Sequence, residues 1–258
     1  MGVEGIAAAR RLLVALDFDG TVAPLVDDPS TSRATPDAAA AIARLRALPA
    51  TWVAFVSGRP LDALVQLTES GPDALLVGSH GVEVSIRGEL APVELNDDER
   101  ARMARLEAAL TELVTAVPRA RLETKPVGYG VHTRLVTDTE RVPPLQQAAR
   151  EAADMVGGFT TRLGKDVIEF SVRDVTKGDG VRMLRELLAA EEGGPVAVLY
   201  AGDDVTDEDA FAVLGAGDLG VKVGAGETRA TERVADVEAF AGLLHRLASA
   251  REASVAHH

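Results

Sequence analysis

Between Leu12 and Thr21 an apolar run (Leu12, Leu13, Val14, Ala15, Leu16) breaks abruptly into Asp17-Phe18-Asp19-Gly20-Thr21. An unbroken apolar run that ends at a glycine turn reads as a strand buried on both faces. The two aspartates then sit at its carboxyl end, which in an open parallel sheet is the edge where ligands bind. Two carboxylates this close repel each other unless a cation or a shared proton intervenes, so the step asks for a metal or a proton-transfer role. Asp and Gly are also common turn formers. The stretch alone leaves both readings open, and the rest of the chain decides.

The same grammar of strand, polar loop and helix recurs. Thr35-Pro36 reads as a cap and first helical residue before a crossover helix over 37–48. The run 52–56 ends in Ser57-Gly58-Arg59-Pro60 and passes into a helix over 61–68, and the run 74–77 ends in Gly78-Ser79-His80-Gly81 before a hairpin through Glu83 and Gly88. Near Pro92 the grammar changes. Asn96 caps a long helix whose Met103, Leu106, Leu110, Leu113 and Val117 form one apolar stripe. Strands over 121–125 and 129–136, a helix over 143–155, and strands over 159–163 and 167–171 follow. The parallel grammar returns at Thr176-Lys177-Gly178. A buried strand over 196–200 then runs into Gly202-Asp203-Asp204-Val205-Thr206-Asp207-Glu208, followed by a helix over 210–214, a strand over 220–223 and a terminal helix over 237–250. The expected fold is α/β: a Rossmann-like parallel-sheet core built from residues 1–91 and 172–258, with an inserted α+β domain over 92–171.

Composition narrows the ligand class. The 258 residues hold 27 basic and 40 acidic side chains, a net charge of −13 that disfavours nucleic acid and anionic membrane and favours a small-molecule substrate. A phosphate ligand would then need a bound cation and local Lys or Arg. With 0 cysteines, disulfides and thiolate metal sites are excluded. No run approaches a membrane span in length and no signal segment opens the chain, so a cytoplasmic protein is expected, with a monomer favoured. The terminal His257-His258 has the look of a tag remnant and is left out of the site.

Four polar clusters end core strands or open the next helix: Asp17/Asp19, Ser57, Lys177 and Asp203/Asp204. Each has a plain explanation as a cap, a surface charge or a solvated first turn. Mapped to one edge of one sheet, they are the parts list of phosphoryl transfer with a hard metal ion. One aspartate attacks phosphorus. Mg²⁺ held by Asp17, the main chain at Asp19, and Asp203 neutralises the anions. Asp19 protonates the leaving oxygen and later deprotonates water. Ser57 and neighbouring amides bind phosphoryl oxygens, and Lys177 offsets their charge.

Asp-Phe-Asp-Gly-Thr, Ser-Gly-Arg, Thr-Lys-Gly and Gly-Asp-Asp-Val-Thr-Asp-Glu, in that order, resemble the motifs of the haloacid dehalogenase superfamily and, more narrowly, of the trehalose-6-phosphate phosphatases. Gly78-Ser79-His80-Gly81 is also similar to a stretch of that family. The resemblance implies a Mg²⁺-dependent sugar phosphatase acting on trehalose 6-phosphate through an aspartyl-phosphate. It makes Asp17 the nucleophile, Asp19 the acid/base and Asp203 a metal ligand, with Asp204 and Asp207 as supporting groups outside direct ligation. It places Gly20, Ser57, Gly58 and Lys177 around the phosphate. The insertion becomes a cap that closes over the sugar and reads it with Glu123, Lys125, Arg134, Lys165 and Glu169, joined by Arg59 and His80. By the two-residue period of a strand, Glu123 and Lys125 share a face, as do His132 and Arg134. Alternatives are a phosphatase for another sugar phosphate (sucrose phosphate or mannosyl-3-phosphoglycerate type), a phosphomutase, or a sugar-phosphate-binding regulator without turnover.

Overall fold

The computed structural model describes residues 2–256 apart from 69, 70, 72, 92 and 165; Lys165 and His257-His258 therefore lie outside the described residues. The chain divides into two units, Met1–Ala91 with Val175–His258, and Pro92–Asp174.

In the first unit a short helix, α1 (Val3–Ala7), leads into β1 (Leu12–Leu16), followed by α2 (Pro36–Arg46), β2 (Thr51–Val56), α3 (Leu61–Thr68), β3 (Leu75–Gly78), β4 (Glu83–Ile86) and β5 (Glu89–Ala91). The second unit holds α4 (Asp97–Thr115), β6 (Arg121–Lys125), β7 (Gly128–His132), α5 (Val142–Val156), β8 (Thr160–Leu163) and β9 (Val167–Ser171). The first unit resumes with α6 (Lys177–Glu192), β10 (Ala197–Gly202), α7 (Glu208–Phe211), β11 (Leu219–Val223), β12 (Glu232–Val234) and α8 (Val237–Val255).

The first unit's sheet has the order β12-β11-β10-β1-β2-β3-β4-β5. It is parallel from β12 to β3 and antiparallel at β4 and β5. Central β1 is buried along its whole length. Its alternating side chains feed two cores: Leu12, Val14 and Leu16 pack with α1, α2 and α8, while Leu13 and Ala15 pack with Val181, Leu184 and Leu188 of α6. That two-sided burial is why the run reads as continuous hydrophobicity rather than as alternation.

The helix starts form as their caps dictate. Thr35 accepts from the Ala38 amide with Pro36 at the first helical position, Asn96 and Glu99 make a reciprocal capping box, and so do Thr176 and Asp179. Helix α8 runs past residue 250 to Val255 because it carries a buried anchor. Arg251, 1% exposed, donates to Thr51 Oγ1 (3.0 Å), to the carbonyls of Ala7 (2.9 Å) and Ala50 (2.9 Å), and to that of Ala9. The strand expected over 129–136 ends at His132, because Thr133 turns to donate its amide to the Asp166 carbonyl (2.9 Å) and Val136 closes a turn on Thr133. The helix expected over 210–214 is the short α7. Both α1 and edge strand β12 were missed; at 5 and 3 residues each is too short to display a period.

The second unit is a four-stranded antiparallel sheet, β6-β7-β9-β8, with α4 and α5 on one face. Met103, Leu106, Leu110, Tyr129, Val131, Ile168 and Phe170 fill the layer between them. The unit continues past β9 to Asp174, where Arg173 grips the Glu99 carboxylate of α4 at 3.0 Å through both Nε and Nη2. No helix among the described residues is long and apolar enough to cross a membrane.

Candidate active site

Parallel pairing of β1 with β10 in register (Leu16 opposite Ala201) brings the two acidic stretches together at the carboxyl edge of the first unit's sheet. Asp17 is 5% exposed, with its amide bonded to the Ala201 carbonyl (2.9 Å). Lys177 opens α6 and is equally enclosed; its Nζ lies 2.9 Å from Asp17 Oδ1 and 2.7 Å from Asp207 Oδ1. Asp207 has no exposed surface. It also accepts from the Tyr200 hydroxyl (2.6 Å) at Oδ1 and from the Asp204 amide (2.8 Å) at Oδ2.

The electrostatics follow from this crowding. Burial pushes the Asp17 carboxyl well above the ordinary range; Lys177 pulls the other way, while Asp207 and Asp203 push it up further. Burial likewise raises Asp203 to about 6, helped by the negative charge of Asp207 and Asp204. Burial opposes the charge on Lys177, but Asp17 and Asp207 outweigh it and hold the ammonium more firmly protonated than a free lysine. Burial also lifts the Tyr200 phenol, with Asp207 second, so it stays a donor.

Oxygens of Asp17, Asp203 and Asp207 lie within 4.8 Å of one another. Asp207 already accepts from Lys177, Tyr200 and an amide, so Asp17 and Asp203 are the carboxylates with more room for a cation. They fit a hard, oxygen-preferring ion, since one buried lysine does not offset three carboxylates and the two that face each other are pushed toward holding protons. Gly20 makes this approach feasible: it takes φ +76°, and a Cβ there would fall 2.1 Å from Asp203 Oδ2. Gly20 thus clears space for the Asp203 carboxylate. Thr21 Oγ1 donates to Asp203 Oδ1 at 3.4 Å.

The Asp19 side chain stands outside this cluster, which leaves its main chain as the part expected at the metal. Arg59 donates to both of its oxygens, through Nε and through Nη2 (2.6 Å), and buried Ser32 donates to Oδ1 (2.9 Å). A carboxylate that accepts from three donors has turned away from a cation, so only its main chain is left for that purpose. The same contact ties up Arg59, expected as a sugar contact, which further donates to the Pro29 carbonyl (2.8 Å). Asp204 is exposed, stands outside the acidic cluster and accepts from Thr206 Oγ1 at 3.4 Å.

Ser57 is 2% exposed at the end of β2, where its Oγ accepts from the Arg59 amide (3.2 Å) and its carbonyl accepts from the His80 amide (3.0 Å). His80 adopts φ +58°, with its ring over Gly58: a Cβ on Gly58 would fall 2.4 Å from His80 Cε1. The Gly78–Gly81 turn therefore braces the Ser57-Gly58 loop. Ser79 supports that brace by donating to Glu83 Oε2 (2.5 Å), which also accepts from the Leu61 amide (3.1 Å).

In the second unit, the sheet face opposite α4 and α5 carries Glu123, Lys125, His132 and Glu169. His132 Nε2 lies 2.9 Å from Glu123 Oε2, Lys125 Nζ lies 3.9 Å from the same oxygen, and Lys125 also pairs with Glu169. Gly130 stands in register between Glu123 and Glu169, so no side chain separates them. The hydrogen bond from His132 lowers the Glu123 carboxyl below its usual range against the effect of burial. Arg134 does not follow the strand parity proposed for it; it sits exposed in the turn after β7, where the two-residue period no longer applies.

Three contributors to the first unit's site escaped the sequence reading. Tyr200 has the appearance of a core aromatic, and Ser32 lies in a loop without periodicity. Lys222 interrupts an otherwise apolar strand, a signal that was there to be read.

Comparison with known proteins places this constellation. The trehalose-phosphatase family model matches residues 15–238. A trehalose-phosphate phosphatase of Mycobacterium avium is 35% identical over 227 residues, covering 86% of this chain and 56% of its own length. The chain thus spans a little over half the length of that curated relative. The crystal structure of a trehalose-6-phosphate phosphatase related protein superposes with a TM-score of 0.72 at 28% identity, covering 92% of this chain and 97% of the other. The C-terminal domain of C. albicans trehalose-6-phosphate phosphatase shares the fold, with a TM-score of 0.79 at 21% identity over 96% and 95% of the two chains. With the matched segment running from β1 through the start of α8, and so taking in Asp17, Lys177 and the 203–209 loop, the chain belongs to the trehalose-phosphatase family.

Proposed function

We propose that the chain hydrolyses trehalose 6-phosphate to trehalose and inorganic phosphate. The observation that carries the reading is Asp17 at the end of β1, held by Lys177 and facing Asp203, with a second carboxylate, Asp19, two residues on. Similarity to the mycobacterial trehalose-phosphate phosphatase supports the choice of substrate.

Asp17 attacks phosphorus with a side-chain oxygen, and the bond from phosphorus to the sugar oxygen breaks as Asp19 delivers a proton to that oxygen. Water then attacks the phosphoryl group on Asp17, Asp19 takes the water's proton, and the bond from phosphorus to Asp17 breaks to return the free carboxylate. In the present arrangement both Asp19 oxygens accept hydrogen bonds from Arg59, as suits a base. Proton delivery requires Arg59 to loosen that grip. Lys177 stays protonated throughout and offsets the anionic phosphoryl oxygens, while Ser57 and the amides of its loop bind them. Asp17 and Asp203 would hold Mg²⁺, which when bound supplies the positive charge that lets an anionic nucleophile and an anionic ester coexist.

Sugar hydroxyls both donate and accept, which mixed acids and bases match. The paired groups Glu123, Lys125, His132 and Glu169 are assigned to the sugar, with Lys165, Arg134 and His80 as further candidates. The test is inorganic phosphate release from trehalose 6-phosphate, sucrose 6-phosphate, glucose 6-phosphate and a nitrophenyl ester, with Mg²⁺ and with chelator. Metal-dependent preference for trehalose 6-phosphate is expected. Preference for another ester would keep the chemistry and overturn the substrate.

A further inference from the structure

Lys222 lies in β11 opposite Gly202, the last residue of β10, and is 4% exposed. Its neighbours along the strand, Val221 and Val223, are core residues. Among the described residues its ammonium forms no ion pair. It donates instead to two successive main-chain carbonyls, those of Asp203 (2.5 Å) and Asp204 (3.4 Å). Burying an ammonium without an ion-pair partner is costly, and a methionine would occupy a similar volume without that cost. Packing alone therefore does not account for the charged head. Its contacts do: both accepting carbonyls belong to the turn that carries the Asp203 carboxylate, and rotating either peptide plane would swing that carboxylate relative to Asp17.

We propose that Lys222 is a positioning residue for the cation site. By pinning the carbonyls of Asp203 and Asp204, it holds the Asp203 side chain across the gap left by Gly20 and facing Asp17. A positive charge beside this turn also lowers the cost of collecting the carboxylates before a cation arrives. The inference rests on the reading of Asp17 and Asp203 as the Mg²⁺ ligands, but not on the identity of the sugar phosphate. Outer groups that orient metal ligands commonly contribute ~10–100-fold in metal affinity.

The test is calorimetric titration of the full chain with Mg²⁺ alone, without any phosphate ester, for the unsubstituted protein and Lys222→Met, alongside circular dichroism and melting in chelator. Lys222→Met is expected to fold and to bind Mg²⁺ ~10-fold or more weakly. Unchanged Mg²⁺ affinity, with or without a lowered melting temperature in chelator, would show a purely structural lysine and overturn the proposal. Should Lys222→Met fail to fold, Lys222→Gln takes its place. Its neutral amide is one atom short of the carbonyls, and Mg²⁺ affinity equal to the unsubstituted protein's would be equally fatal. No Mg²⁺ binding by the unsubstituted chain would overturn the metal reading, and this inference with it. A wrong sugar leaves the titration untouched.

Discussion

Replacing Asp207 with alanine isolates the buried network from the chemistry. Asp207 has no exposed surface and takes three hydrogen bonds: from Lys177 Nζ (2.7 Å), the Tyr200 hydroxyl (2.6 Å) and the Asp204 amide (2.8 Å). Asp207→Ala leaves a buried ammonium with Asp17 as its remaining carboxylate, and strands two further donors. Breaking a buried ion pair from one side costs about 3–5 kcal/mol. The stranded hydroxyl and amide each carry about 1–3 kcal/mol of desolvation. The three share one site and do not add, so a net loss of about 4 kcal/mol is expected. For a protein of this size that lowers the melting temperature by about 8–16 °C. Asp207→Asn keeps one acceptor oxygen, but sets an NH₂ group against a donor on one side or the other, and should fall between alanine and the native residue. The assay is thermal and urea unfolding followed by circular dichroism in chelator, so that metal binding does not enter. A loss below about 1 kcal/mol for the alanine variant would refute the reasoning, because it would mean that the network is solvated rather than dry.

Other perturbations separate the remaining roles. Asp17→Asn should abolish phosphate release while leaving the metal-free melting temperature within a few degrees; substantial residual turnover would mean that another group is the nucleophile. Glu123→Ala and Lys125→Ala should impair hydrolysis of trehalose 6-phosphate far more than that of a nitrophenyl ester, and equal losses on both would remove these residues from sugar reading. In the metal-free protein the raised carboxyl of Asp203, at about 6, means that the native state binds a proton that the unfolded chain, with an ordinary aspartate, has already lost. Its contribution to stability therefore falls as pH rises from about 4 to 6, and Mg²⁺ binding near pH 6 should release protons. Titrations in buffers of different ionisation enthalpy read that release, and none would place Asp203 outside the site. Glu99 behaves oppositely: the hydrogen bond from Arg173, with the Asn96 amide second, lowers it to about 2, so its contribution is present above the ordinary glutamate range and lost as pH falls toward 2. Acid unfolding of Glu99→Gln should show that loss missing.

The sequence exposed the parts of the site carried by local chemistry. Asp17 was legible because β1 is buried on both faces and its apolar run stops abruptly at a carboxylate. Lys177 was legible because Thr176-Lys177-Gly178 opens a helix, which the structure starts at Lys177. Unreadable were contacts made across the chain after folding. Arg59 and Asp19 lie 40 residues apart, and only the adjacency of β1 and β2 brings them together. Ser32 reaches Asp19 from a loop without a period. Arg134 was misplaced because strand parity was extended past the turn at Thr133.

Local sequence thus determined the alternation of strands and helices, the helix caps and the order of the acidic motifs, because each depends on neighbours within about one turn or one strand. Tertiary structure decided what surrounds each carboxylate. Asp17, Asp19, Asp203 and Asp207 are the same functional group in the chain. They differ only in what folding sets against them: a buried lysine and a facing carboxylate, an arginine fork, a gap left by a glycine, and a closed ring of donors. Burial and partner charge set how readily each holds a proton or a cation, and both are properties of the folded molecule.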